Sequence, residues 1–176
     1  MKKILTLAIY ALVLSAPVYA ADWVLEQSTI TYHVSHLLHH VEGTSHAARG
    51  KGVCTDGQCQ FLIADPVDTF NSSDSNRDLH MLQDTRGAQF PMVVVRTTVP
   101  ENLGAADFTA DITIEFAGQK FTYPQVKFHR TDNSSETRLT GTIPLNILDF
   151  KIIPPSLLTV AIKNEVPVDI DMTWRR

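Results

Sequence analysis

Beyond residue 20 the sequence lacks any long apolar run, and no segment there reaches the roughly 20 apolar residues a membrane-spanning helix requires. Cysteine is scarce: two residues allow one intramolecular bridge and exclude a disulfide-dense scaffold. Positive charge is not in surplus, with 15 Lys and Arg against 19 Asp and Glu and a net charge of -4. That balance argues against nucleic acid, whose phosphates call for a basic face, and against docking on anionic lipid headgroups. There is no Gly-x-Ser-x-Gly, no strand–turn–helix setting for a nucleophile and no phosphate-cradling loop. Carboxylates occur as scattered charges rather than pairs. The expectation is a protein that is not an enzyme. Repeats, low-complexity tracts and linkers are also missing.

The first twenty residues read as a leader. Lys2 and Lys3 form a positive start, Ile4 to Leu14 an apolar stretch, and Val18-Tyr19-Ala20 a peptidase site. Cleavage is expected after Ala20, giving residues 1–20 as signal peptide and 21–176 as one exported domain of 156 residues. No cysteine follows the site to carry a lipid anchor. Losing Lys2 and Lys3 moves the net charge from -4 to -6.

The mature chain is dominated by period-two alternation, the signature of strands with one wet and one apolar face. Ile30, Tyr32, Val34 and His36 share a face; Phe61 and Ile63 alternate, as do Val93, Val95 and Val99. Ile112, Ile114 and Phe116 lead to a turn at Gly118-Gln119, and the chain returns through Phe121 and Tyr123. There the parity slips to Val126 and Phe128, and Pro124 at the slip predicts a bulge. Ile143, Leu145 and Ile147 form another apolar row, and Val166, Val168, Ile170 and Met172 the last. Seven or eight such strands without alternating helices predict an all-β antiparallel sandwich or barrel.

Asp56-Gly57 predicts a two-residue hairpin turn, which sets Cys54 opposite Cys59 as a non-hydrogen-bonded pair close enough for a disulfide. One short helix is expected mid-chain, capped by Asp74 or Ser75, with Ser75 to Asp78 fitting a capping box and Leu79 and Leu82 on one face. It is either a lid on a barrel end or a plain crossover. Pro154-Pro155-Ser156-Leu157-Leu158 reads as a helical turn or an irregular link.

Ser28-x-Ile30-x-Tyr32-x-Val34-x-His36-Leu37 resembles the first strand of the YceI-like proteins. Asn76-Arg77-Asp78-Leu79-His80-Met81-Leu82 is similar to that family's Arg-Asp-x-His-Leu helix. Phe90-Pro91, Asp111-Ile112-Thr113-Ile114 and Leu148-Asp149-Phe150 follow in the family's order, the last with Leu in place of Ser. The resemblance spans the mature chain. It implies an extended lipocalin-like barrel of about eight strands with one helix. It also implies a periplasmic binder of a polyisoprenoid, isoprenoid quinone or related acyl lipid, without an obligatory cofactor. Two features depart from the family: Gly43-Thr44-Ser45-His46 lacks an aromatic, and the hairpin cysteines are not a hallmark.

A filled core and a lined cavity use the same residue types, so alternation leaves both open; the resemblance favours the cavity. Its expected walls are Ile30, Tyr32 and Val34; Phe61 and Ile63; Val93 and Val95; Ile112, Ile114 and Phe116; Phe121 and Tyr123; Ile143 and Leu145; Val168 and Ile170. Arg77 and His80 would meet a headgroup at the mouth, or Arg77 and Asp78 would tie the helix to the barrel. Two other readings stand beside the carrier. One is a metal site from His36, His39, His40 and His46 with Glu42, although Leu37 occupies the Glu position of a metalloprotease helix. The other is a filled barrel that acts through surface contacts with a membrane redox partner. Transient membrane contact fits the carrier as well, and the sequence is silent on oligomeric state. N-terminal sequencing of the exported protein should read Ala-Asp-Trp, from Ala21; retention of residues 1–20 would overturn the leader assignment.

Overall fold

The computed structural model describes residues 22–36, 40–157 and 160–176. The expected leader, residues 1–20, and also Leu37, His39 and Leu158 lie outside that range. The alternating segments are strands β1 (Asp22–Ser35), β2 (His40–Ser45), β3 (Arg49–Thr55), β4 (Gln58–Pro66), β5 (Met92–Pro100), β6 (Asp107–Phe116), β7 (Gln119–Asp132) and β8 (Glu136–Asn146). Two short strands follow, β9 (Ser156–Leu157) and β10 (Val160–Ala161), and then β11 (Glu165–Arg175). Helix α1 (Ser75–Asp84) joins β4 to β5, and 3-10 turns cover Val67–Thr69 and Ile147–Phe150.

From β3 to β8 each strand pairs antiparallel with its neighbour in sequence. β8 pairs with β11, and β11 returns to β1 over Val24 to Tyr32. The opposite edge of β1 holds β3 at its start and β2 over Ile30 to Ser35, so β2 and β3 serve as one strand broken at residues 46–48. The sheet therefore closes into an eight-stranded antiparallel barrel with one helix. Its outer face is wet. Across β2, β1, β11 and β8, the His33 ring bridges Glu42 at 3.3 Å and Asp169 at 2.9 Å, and Thr142 donates to Asp169.

Local chemistry shapes the barrel where alternation breaks. Asp56 and Gly57 both adopt positive φ, the hairpin turn expected of Asp-Gly. Cys54 and Cys59 pair directly across it with Cα atoms 4.0 Å apart and form the disulfide. In β7 the expected bulge is present: Ala110 faces Val126 and Ile112 faces Tyr123, leaving Pro124 and Gln125 opposite Asp111. Gln125 takes a positive φ, and its N–H donates to Asp111 Oδ1 at 2.9 Å. A second bulge at Glu26 in β1 was not expected from the pattern.

Two expectations about α1 need correction. Asp74 is the N-cap and accepts from the N–H groups of Asn76 and Arg77, but the Ser75–Asp78 capping box does not form. Asp78 instead accepts from Ser72 N and Oγ, outside the helix. Leu79 does not pack inward with Leu82; it is 52% exposed. The Pro154 segment is an irregular link that ends in the β9–β10 pair.

β7 and β8 pair only from Phe128 to Asp132. The 3-10 turn Ile147–Phe150 packs beside the unpaired part of β7, with Phe150 fully buried against Tyr123 and Phe116. The Tyr123 hydroxyl donates to Asp149 Oδ2 at 2.8 Å and accepts from the Asn146 N–H at 3.0 Å. Burial and the Asp149 carboxylate together push its ionisation well above the ordinary tyrosine range. Tyr123→Phe should lower stability by about 1–3 kcal/mol in urea denaturation, because a buried N–H and a carboxylate lose their partner. Replacing Cys54 and Cys59 together by Ala should cost about 2 kcal/mol, the loop-entropy value for so short a closure. An unchanged denaturation midpoint in either case would contradict these roles.

Candidate functional site

The inward side chains do not meet across the barrel. They surround a cavity of about 510 Å³ that runs from one end to the other. That volume lies within the roughly 300–1,000 Å³ typical of small-molecule sites. The reading of a filled barrel is therefore overturned. Mid-cavity walls are β-branched: Ile30, Ile63, Val95, Ile112, Ile114, Ile143 and Ile170 come from six different strands. Side chains of this size project from an eight-stranded wall without spanning it.

All the expected wall residues line this cavity except Phe121 and Tyr123. Both have inward parity, opposite Ile114 and Ile112. The barrel is sealed from them by Phe150, which occupies the space where β7 leaves β8. Tyr123 is core, and Phe121 is pushed to 38% exposure beside it. Sequence reasoning missed Trp23, Phe70, Phe108, Phe128 and Trp174, which also line the cavity. Trp174 simply continues the β11 alternation and was legible. Trp23 was hidden because the bulge at Glu26 reverses the parity of β1 before Ser28. Phe70 sits outside any strand, where no period marks it.

The two ends differ. The floor is aromatic: Trp23, Phe61 and Trp174 pack with ring centres 5.1–6.3 Å apart. The Arg176 guanidinium lies over Trp23 and pairs with Glu101. Large rings fit here because the facing strand is bare: a Cβ on Gly52 would fall 2.4 Å from the Phe61 ring. Gly43 does the same for Tyr32 at the other end, so this glycine retains a packing role without a neighbouring aromatic in sequence.

That other end is the mouth under α1. The helix turns its polar face inward, with Arg77, His80, Met81 and Asp84 lining the cavity. Arg77 is tied down by Nε and Nη2 bonds to Ser72 Oγ and O, both at 3.0 Å, so the anchoring role and the lining role coincide in one residue. Beyond the helix, Arg86 donates to the carbonyls of Ala117 and Phe150 and fastens the connection to the barrel rim. Burial pushes the Tyr32 hydroxyl up, and the nearby Asp78 adds to the shift while Arg77 opposes it. Three exposed apolar residues lie on segments next to cavity-lining ones: Leu79 on α1, Ile153 (84% exposed) after Ile152, and Val160 before Ile162.

The histidines of the expected metal site do not converge. His36 is buried in the cavity wall near the Val160 carbonyl at 3.2 Å. His40 lies by Ser35 Oγ, and His46 by Thr29 Oγ1 and the Ser28 carbonyl. Glu42 is occupied by His33. Among the described residues no group of three or more such side chains could hold a metal ion, and His39 lies outside them. Among the same residues no helix is long and apolar enough to cross a membrane.

The YceI-like domain model matches residues 19–174. No curated protein matches the sequence. Among solved structures, BcnA of Burkholderia cenocepacia is similar over 83% of this chain and 95% of its own, with a TM-score of 0.69 at 14% identity. A polyisoprenoid binding domain from Saccharophagus degradans is similar over 87% and 97%, with a TM-score of 0.66 at 14% identity. The YCEI protein of Campylobacter jejuni is similar over 66% and 72%, with a TM-score of 0.53 at 15% identity. At these identities the structural likeness shows the shared fold, while the family model covers residues 19–174 of the 176. The chain belongs to the YceI-like domain family.

Proposed function

We propose that this protein holds one long apolar lipid inside its barrel, as a carrier or buffer in the periplasm. The observation that carries the reading is the continuous hydrocarbon-lined cavity of about 510 Å³. Each methylene moved there from water contributes about 0.8 kcal/mol. A tail of several isoprene units or a fatty acyl chain therefore has ample driving force without polar contacts. The same physics limits selectivity, since walls of Val and Ile read length and girth rather than functional groups. The protein with the similar fold from Saccharophagus degradans is a polyisoprenoid binding domain, which supports an isoprenoid tail here.

On this reading the tail points to the tryptophan floor and the headgroup stays under α1. The exposed apolar side chains of Leu79, Ile153 and Val160 favour transient contact with a membrane during loading. The protein stores or transfers its ligand and does not transform it.

Organic extraction of natively purified protein, followed by mass spectrometry, should release close to one isoprenoid or acyl lipid per chain. Val95→Trp places an indole in the middle of the cavity and should leave the extract empty while circular dichroism still reports the folded barrel. A lipid-free wild-type extract, together with no uptake of added farnesol, would sink the carrier reading.

A further inference from the structure

The cavity wall carries a buried carboxyl that apolar binding does not use. Asp65, at the end of β4, is 3% exposed and lines the cavity at the helix end. Its Oδ1 accepts from Ser45 Oγ at 2.8 Å; Thr69 Oγ1 lies 3.3 Å away and has a shorter bond to the Pro66 carbonyl at 2.7 Å. Those two hydroxyls also meet each other at 2.7 Å, so the carboxyl is held rigidly by β2 and the Val67–Thr69 turn. Its Oδ2 is equally buried and has no partner among the described residues. A buried carboxylate oxygen without a donor costs free energy that a structural role alone would avoid. Burial accordingly pushes this carboxyl up, against the hydrogen bonds from Ser45 and Thr69 and the nearby His46.

A lipid tail provides no donor, but its headgroup can. We infer that Asp65 is the polar anchor of the cavity, its free Oδ2 accepting a hydrogen bond from an uncharged, donor-bearing lipid headgroup, a primary alcohol above all. The inference rests on the lipid-holding reading and adds the headgroup class. An anionic head fits poorly, because Asp65 and Asp84 both line this end and Arg77 is already engaged by Ser72. An acceptor-only head would set oxygen against oxygen. Trp23 and Arg130, the other described cavity residues with a buried polar atom that makes no hydrogen bond, both carry donor N–H groups; Trp23 lies at the opposite end and Arg130 Nε sits 3.0 Å from the Asp132 carboxylate, so neither offers the acceptor that Asp65 does.

The test compares farnesol with farnesal, which share a skeleton but differ in having or lacking a donor. Trp23 and Trp174 are the two tryptophans of the chain and both line the cavity, so their fluorescence reports occupancy directly. Wild-type protein should bind farnesol about tenfold more tightly, as one charge-assisted hydrogen bond supplies. Asp65→Asn keeps the shape and the acceptor for Ser45 and Thr69 but turns a donor toward the cavity. The farnesol-to-farnesal ratio should then collapse to near one. Carbon-13 spectra of aspartate-labelled wild-type protein give a second readout that needs no substitution: a buried carboxyl resonance should move with farnesol and stay put with farnesal. Equal wild-type affinities, an unchanged ratio in D65N, or an unmoved carboxyl would overturn the anchor while leaving lipid binding intact. Failure of both probes to bind the wild type would overturn the lipid reading and the anchor together.

Discussion

The pairing of β11 with β1 is the constraint on which the rest depends. It joins the two ends of the sheet, so each strand of the barrel has a neighbour on both sides, even though β7 leaves β8 before Phe128. Once hydrogen bonds set the circumference at eight strands, the interior width is decided by backbone geometry rather than by side-chain attraction. Side chains of the size of Ile30, Val95 and Ile143 then line a void instead of filling it. A sheet with an open edge could curl until such residues touched. Closure is therefore what converts an ordinary apolar face into a container.

The two ends of that container are built from different chemistry. Trp23, Phe61 and Trp174 form a floor of rings that excludes water at low entropic cost, helped by the missing side chain of Gly52. The mouth is covered by a helix that contributes no buried residue of its own. Its hold comes from Asp78 and Arg77 on Ser72, and its continuation is fastened through Arg86. A cover held by polar bonds at its margins, with few apolar contacts beneath, is the kind of element that opens locally at small cost.

Polar groups inside the barrel are few, and most are accounted for. Ser45, Thr69 and one oxygen of Asp65 satisfy one another where the broken strand β2–β3 meets the 3-10 turn. The Tyr123 hydroxyl is matched on both sides. The second Asp65 oxygen is the one carboxylate atom among the four unpartnered buried side-chain polar atoms of the described residues, and a low-dielectric wall makes an unmatched carboxyl oxygen far more costly than the same atom in water.

Much of this was legible beforehand. Alternation located the strands, Asp56-Gly57 predicted the hairpin that joins Cys54 to Cys59, and Pro124 marked the bulge in β7. These are local effects: backbone sterics, turn geometry and the two-residue period act over a few neighbours and leave their mark in sequence order. Errors arose where distant segments meet. Phe121 and Tyr123 have inward parity yet miss the cavity because Phe150, more than twenty residues later, fills the gap beside them. Leu79 belongs by periodicity to an apolar helix face but points to solvent, because Ser72 and Asp78 orient the helix the other way. So the sequence by itself determined that there would be strands with one apolar side. Only the tertiary structure decided that those sides enclose a space and which residues border it, since that depends on how many strands close the ring and on what packs into its seams.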